Sequence, residues 1–486
     1  MLPIPLDRHS AVTLQEQICE ALRARIACGA LPGGAQLSAT RELARALGVS
    51  RNTAVLAYER LASEGFVEMR PHRGVFVANP PPGAPPMAEP LPAPAEAPTG
   101  AAGPHLITRE DARPIFDLWY ARPDPRLFPA HAWRQLGHAA LGACAVGLST
   151  YGPVGGEPRL RQAIADHLAI HRGLAVRPEQ VVVTSGAQEA LNLIARLLLE
   201  PGDTAVVEDP GYEAAAQVFE AHGARIVTAP VDGEGLVPAL APGLRPRLIY
   251  VTPAHQFPTG VVMSPARRAA LLATAARHDA LVVEDDYDGD ILLEGPPAAA
   301  LAALDGGRRT IFVGTFSKTL GCGLRLGYMV VPPHLAAAAE ATKSLMSYGQ
   351  SWLDQQILAA FLSQGRYQRH LNRLRTACRA RRDAALAGLR ETFGNTVAVS
   401  GGAAGLHLYC TLPDGAPDAA RLAAAALAVG VGLHPAEACG VHSATRDLSR
   451  TLLIGFGGLT PEELALAFTR LRQALAPAAA RPCGDR

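Results

Sequence analysis

Leu14, Ile18, Leu22 and Ile26 recur every four residues, which places them on one face of an amphipathic helix. Gly29 and the Leu31-Pro32-Gly33-Gly34 turn end that helix. Ser38 is placed to cap a second, short helix through Leu43 and Leu47, closed by Gly48. Ser50 caps a third through Val55, Tyr58 and Leu61, stopped at Gly65. The run from Phe66 to Val77 then alternates around a tight centre and predicts a β-hairpin. Three helices followed by a hairpin is the layout of a winged helix-turn-helix, with its third helix placed for the major groove. A helical dimerisation module fits the same pattern.

A different rhythm occupies the rest of the chain. Short apolar runs at Val181–Thr184, Ala205–Glu208, Arg225–Ala229, Leu248–Thr252, Leu281–Glu284, Thr310–Thr315 and Gly327–Val331 alternate with helical segments. Mostly continuous apolar runs suit strands covered on both faces. The pattern predicts an α/β body with a mostly parallel sheet of about seven strands. A long helical stretch, 352–392, leads into a small C-terminal α+β subdomain spanning about 370–486. Between the two rhythms, residues 79–104 hold ten prolines among 26 positions, part extended and part flexible linker. The expected boundaries are 1–78 for the head, 79–112 for the linker and 113–486 for the body.

Composition narrows the function classes. The 486 residues suffice for more than one core, and 49% apolar with 18% charged is an ordinary globular balance. A net charge of +1 advertises no nucleic acid globally. The head carries nine arginines against seven acidic residues, so any DNA affinity comes from placement. No apolar stretch is long enough for a bilayer, and the N-terminus lacks the layout of a signal peptide. Eight scattered cysteines with no CxxC pair fit reduced thiols in the cytoplasm, and no metal is assigned. Only two of the 45 cationic residues are lysine, Lys318 and Lys343. Arginine supplies charge but cannot form an imine. A lysine kept in such a chain is a candidate for amine chemistry, whereas Lys343, on an expected surface helix, illustrates chance survival.

Five segments carry candidate chemistry. Gly314 to Tyr328 follows a strand and surrounds Lys318 with the hydroxyls of Thr315 and Ser317 and the guanidinium of Arg325, groups that can grip a phosphate. Val283-Glu284-Asp285-Asp286-Tyr287 puts a carboxylate at a strand end, where it can pair with a protonated pyridine nitrogen. A metal site or a solvated acidic turn would read the same. Thr184 to Leu191 turns from strand to helix through Gly186, leaving free N–H groups as an anion seat or simply an ordinary turn. Glu208 to Tyr212 offers an aromatic for stacking, and Thr252 to Gly260 offers polar side chains at another strand end.

In this order the five segments resemble the class I/II aminotransferases of fold type I, over about residues 115–475. The resemblance implies pyridoxal 5′-phosphate held as a Schiff base on Lys318, with Asp285 on the pyridine nitrogen. Tyr287 would contact the phenolate oxygen and Tyr212 stack on the ring. Gly186, Ala187, Gln188, Ser317 and Arg325 would hold the phosphate, with Tyr151 reaching that of a neighbouring subunit. The family commonly has Asn before Pro-Thr-Gly, whereas this chain has Phe257, leaving His255 or Gln256 to bond the ring oxygen. Arg450, five residues before Gly455, would meet an effector carboxylate, with Arg446 as the other choice.

The head resembles GntR-type DNA-binding domains through Leu37 to Ala44 and Leu47 to Thr53, with Ser-Ala-Thr in place of the common Pro-Ser-Ser. The implied DNA contacts are Arg41, Ser50, Arg51, Asn52 and Thr53 on the helices, and Arg73 with Arg70 and His72 at the wing. Head, linker and body together resemble the MocR family of bacterial regulators. That resemblance implies a cytoplasmic homodimer, each head placed over its partner's body, binding double-stranded operator DNA. It would sense an amine or amino-acid effector, or the cofactor itself, at Lys318. An active aminotransferase with an accessory head is the alternative.

Overall fold

The fold is that of a computed structural model describing residues 4–79 and 114–475, apart from positions 9, 11, 121 and 144. The expected linker lies almost wholly outside the described residues. The chain divides into two compact units, Met1–Ala101 and Ala102–Arg486.

The first unit holds helices α1 (Leu14–Ala27), α2 (Thr40–Leu47) and α3 (Arg51–Ser63), then strands β1 (Val67–Arg70) and β2 (Gly74–Val77). Ile18, Leu22 and Ile26 of α1 pack on Ala54, Tyr58 and Leu61 of α3. Burying a side chain such as Ile18 or Leu61 contributes about 1.5–3 kcal/mol. Ser50 caps α3 as expected, accepting the Thr53 N–H at 3.0 Å. Ser38 does not cap α2, because the capping position falls on Ala39, whose side chain has no acceptor. Gly48 closes α2 in the left-handed region, at φ +64°. The hairpin is antiparallel with Val67 opposite Val77, and His72 turns it at φ +61°.

The second unit is built on one large sheet. Its strands run in the order Val181–Thr184, Gly327–Val330, Thr310–Thr315, Leu281–Asp286, Pro246–Val251, Thr204–Asp209, Arg225–Asp232, and the two-residue strand Gly235–Leu236 forms an eighth at the edge. All seven expected strands are present. Gly327–Val330 runs antiparallel to both neighbours, while the other pairings among the seven are parallel. Val181, Val182 and Val183 are all fully buried, which is why the run is continuously apolar rather than alternating. The expected single helix after 352 is two, Trp352–Ser363 and Arg366–Phe393. Gly365, at φ +66°, breaks it between them.

The chain ends in a small antiparallel sheet ordered Ala398–Ser400, His407–Thr411, Thr451–Gly455, His434–Pro435, with helices Ala419–Ala428 and Pro461–Leu475. Among the described residues no helix is long and apolar enough to cross a membrane.

Candidate functional site

Four of the candidate segments leave the carboxyl ends of parallel strands, the end of an open α/β sheet where ligands bind. Asp285 lies in the last turn of strand Leu281–Asp286 and is 3% exposed. Its Oδ2 accepts the Tyr250 hydroxyl at 2.8 Å, while its buried Oδ1 has no partner. Burial pushes its carboxyl up to about 7, with Asp286 adding to the rise and the Tyr250 bond and the charge of Lys318 opposing it. A carboxylate with one open, buried oxygen beside an amine suits a cationic N–H ligand such as a protonated pyridine.

The anion seat also comes together. Helix Ala187–Leu198 starts at Gly186, whose φ of +102° excludes most side chains and which supplies no side-chain cap. The N–H groups of Ala187 and Gln188 therefore open its first turn. A Cβ on Gly186 would lie 3.6 Å from the Arg325 guanidinium, so that cation sits against the helix start. One on Gly327 would lie 2.7 Å from the Gly186 Cα, so glycine is required where the two segments cross. Thr315 and Ser317 bond each other at 3.0 Å, and the Ser317 N–H donates to Thr315 Oγ1 at 3.1 Å. Arg325 and Lys318 form no hydrogen bond or ion pair among the described residues. Two uncommitted cations, hydroxyls and a helix N-terminus fit a phosphorylated aldehyde.

The aromatic side is closed by Phe257, whose ring lies 5.6 Å from Tyr212, 5.5 Å from Tyr120 and 6.2 Å from Tyr287. Tyr212 is held up to about 12 by burial and by Asp285. Of the two candidates for the ring oxygen, Gln256 is consumed elsewhere. Its amide N–H donates to Glu208 and the Pro210 carbonyl, and its oxygen accepts from Thr259. His255 is engaged too, its Nδ1 lying 2.9 Å from Asp288 and 3.1 Å from the Tyr287 hydroxyl and its Nε2 3.3 Å from the Gly401 carbonyl, so its link to the ring oxygen would run through Tyr287.

Not every expected residue joins the cluster. Arg450 bonds Asp414 at 2.7 Å and the carbonyls of Leu412 and Pro413, so its charge is spent on the small subdomain's own loop. Arg446 is tied to the Val231 carbonyl. The same stretch sends the fully buried Leu453 into the aromatic group. Tyr151 is 87% exposed, its ring tilted against that of Tyr348 at 5.5 Å. Lys343, expected on a surface, is buried and ion-paired to Glu189 at 2.8 Å. That pairing is available because helix Ala336–Ser347 packs on helix Ala187–Leu198.

Asp288, His407 and Tyr250 also line this region, although no sequence motif marked them. Asp288 lies in the same acidic run as Asp285, whereas His407 is a lone histidine on an apolar strand. His255, Asp288 and His407 bring potential ligand atoms within 4.8 Å of one another, a His-Asp-His grouping that cysteine spacing gave no hint of.

In the head, Arg41, Arg51, Asn52 and Arg73 are exposed, at the start of α2, the start of α3 and the wing. Thr53 and Ser50 bond each other at 2.8 Å. Arg70 is engaged by Glu68 at 3.0 Å and by the Phe76 ring at 4.7 Å, which leaves Arg73 the freer wing cation.

Comparison with known proteins agrees with both halves. Residues 129–471 match the aminotransferase class I and II family, and residues 14–77 match the gntR family of bacterial regulatory proteins. The chain is 35% identical over 474 residues to a probable rhizopine catabolism regulatory protein, MocR, of Rhizobium meliloti, covering 96% of this chain and 95% of that one. It is 33% identical to the transcriptional regulator TauR of Rhodobacter capsulatus, covering 95% and 96%. Among solved structures, the kynurenine aminotransferase of Pyrococcus horikoshii superposes with a TM-score of 0.67 at 31% identity, covering 74% of this chain and 90% of that one. With a gntR-type head and an aminotransferase body matched end to end by such regulators, the chain belongs to the aminotransferase class I and II family and, within it, to the MocR-type bacterial transcriptional regulators.

Proposed function

We propose that this regulator holds pyridoxal 5′-phosphate at Lys318 and reads an amine, an amino acid or the cofactor itself there to alter its hold on operator DNA. One observation carries the reading: the buried, unpartnered Asp285 Oδ1 lies within electrostatic reach of Lys318. When bound, the cofactor supplies an electrophilic carbonyl carbon and a ring that accepts electron density. Asp285 holds the ring nitrogen through its open oxygen. Arg325, Ser317 and the N–H groups of Ala187 and Gln188 hold the phosphate against the helix start. Tyr212 covers the ring, Tyr287 faces its oxygen, and Lys318 supplies the amine. Tyr151, exposed in one chain, completes the phosphate site of a second chain in a cytoplasmic homodimer with exchanged heads. Arg51, Asn52 and Thr53 read bases, while Arg41, Ser50 and Arg73 fix the register on phosphates.

A transaminase reading has its own support. The chain is 30% identical over 379 residues to aromatic-amino-acid aminotransferase 1 of Thermococcus litoralis. Against it stands Arg450, whose guanidinium is turned to Asp414 and to the carbonyls of Leu412 and Pro413. We therefore place residual turnover second to sensing.

The test is a visible spectrum, an amine panel and a mobility shift on the chain's own upstream DNA, with purified full-length protein. Specific DNA binding that changes with an amine or with the cofactor, at negligible turnover, is the expected result. Robust turnover without specific binding would overturn it. Lys318→Ala removes the borohydride-reducible bond and keeps the fold. A covalent adduct surviving in that variant would place the anchor elsewhere.

A further inference from the structure

Next to Tyr287 lies a buried polar chain that the proposed function leaves unused. Asp288 Oδ2 is 2.9 Å from His255 Nδ1, the nitrogen that also lies 3.1 Å from the Tyr287 hydroxyl. The other ring nitrogen faces the Gly401 carbonyl at 3.3 Å. The His255 side chain is fully buried and that of Asp288 is 3% exposed. A carbonyl cannot donate, so Nε2 carries a proton. If Nδ1 carried none, its lone pair would face the Asp288 carboxylate at contact distance, a repulsion with no water to relieve it. The geometry therefore calls for an imidazolium, balanced by Asp288, whose Nδ1–H lies between Asp288 and the Tyr287 oxygen. With that nitrogen protonated, Tyr287 cannot donate to it and keeps its own proton for another acceptor.

The surroundings hold this arrangement in place. A Cβ on Gly405 would come within 2.1 Å of Asp288 Oδ2 and 2.6 Å of His255, and one on Gly260 within 2.8 Å of His255 Nε2. From the small sheet, the His407 ring sits 5.1 Å from His255 and bonds the Pro258 carbonyl at 3.1 Å. Burial and the charge of His255 push His407 down to about 4, so it packs as a neutral ring. Burial works against the His255 cation too, yet the charge and hydrogen bond of Asp288 outweigh it and raise its basicity. The remaining charged or titratable groups within reach of this chain are Lys318 at His407, Asp285, Glu208 and Tyr120 at Tyr287, and Asp285 and Asp286 at Asp288.

We infer that Asp288 and His255 are positioning residues that aim the Tyr287 hydroxyl at the cofactor's ring oxygen and keep one positive charge behind it, where Phe257 offers no donor. The inference rests on Lys318 as the cofactor anchor. A cation behind the ring oxygen disfavours a proton on the Lys318 nitrogen, so removing it raises the pH at which that proton is lost.

The experiment is a pH titration of the visible band of the full-length, cofactor-loaded protein. His255→Gln removes the cation and leaves the Asp288 charge, and its midpoint moves up by about one pH unit, tenfold in the protonation constant. Asp288→Asn gives a smaller rise, because the unsupported imidazole loses its proton, and Asp288→Glu restores the midpoint. If His255→Gln does not fold, the two Asp288 variants carry the test. A normal wild-type band with an unmoved midpoint in the variants overturns this inference alone. A wild type with no such band overturns the cofactor reading and this inference with it. A wild-type midpoint that shifts on adding a chelator would point instead to a metal ion on His255, Asp288 and His407, and would overturn the assignment.

Discussion

Replacing Lys343 with methionine isolates the electrostatics of the buried ion pair from its packing. The side chain is fully buried, and its amine donates to Glu189 Oε1 at 2.8 Å and to Ser347 Oγ at 3.3 Å. Methionine fills much of the same volume without the charge. Breaking one side of a buried pair costs about 3–5 kcal/mol, because the other charge is left behind. Glu189 retains neutral donors, namely the Gln350 amide at 2.8 Å, the Ser347 hydroxyl at 3.1 Å and the Ser185 N–H. Those donors put Lys343→Met at the low end, about 3 kcal/mol. Lys343→Ala also strips buried methylenes at about 0.8 kcal/mol each, and so costs about 5 kcal/mol. Lys343→Met combined with Glu189→Gln removes both charges and recovers most of the loss.

The readout is urea unfolding followed by tryptophan fluorescence. All three tryptophans, Trp119, Trp133 and Trp352, lie in the body, so the signal ignores the head. The pH dependence has a definite sign. Burial raises the Glu189 carboxyl, but Lys343 and the Ser185 N–H outweigh it and hold the carboxyl below its ordinary range. A depressed carboxylate stabilises the fold above its unfolded pKa, and that share is lost as pH falls through the folded value. The advantage of the wild type over Lys343→Met therefore shrinks as pH falls through the depressed folded value of Glu189. A loss under 1 kcal/mol at pH 7, or a difference that persists in acid, would refute the reasoning.

Other outcomes follow from the same contacts. Asp285→Asn removes a carboxyl that burial raises from 3.8 to about 7, so it stabilises the cofactor-free body at pH 8 and not at pH 4, by about 2–3 kcal/mol after the Tyr250 bond is discounted, measured by thermal unfolding. The same variant weakens cofactor affinity at least tenfold in a spectral titration. Ser50→Ala deletes the side-chain cap on α3 and lowers head stability by about 1 kcal/mol, read by circular dichroism. Arg51→Ala weakens operator binding by about tenfold without altering the visible spectrum, and unchanged affinity in a mobility shift would remove Arg51 from the interface.

The strands were legible because most are short, nearly continuous apolar runs between helical periods. The helix start at the anion seat was legible because a strand turns into a helix through Gly186, whereas the crossing with Gly327 came only from the fold. What the pattern hid depends on packing between distant segments. Lys343 sits on a helix whose own periodicity says little, and it is buried only because Glu189, 154 residues away, meets it. His407 on strand His407–Thr411 gave no local signal, since its meaning comes from His255, which reaches it across the seam between the large and small sheets. The spacing that favoured Arg450 was real, but the neighbouring Asp414 offered it a nearer carboxylate.

The seam itself bears on how sensing works. Asp285 ends a strand of the large sheet and Tyr287 and Lys318 lie in loops that follow its strands, whereas Gly401 and His407, which close around His255, come from the small subdomain. A ligand that contacted only large-sheet residues would bind equally well however the two parts were arranged, and a ligand without differential affinity shifts no equilibrium. An effector that displaces or recharges the His255–Asp288–Tyr287 chain changes contacts on both sides of the seam. A tenfold difference in affinity between two arrangements is about 1.4 kcal/mol, the scale of a single hydrogen bond to a charged group. One altered bond at His255 is thus sufficient to bias the body, and His255→Gln should uncouple effector binding from DNA affinity even where the effector still binds.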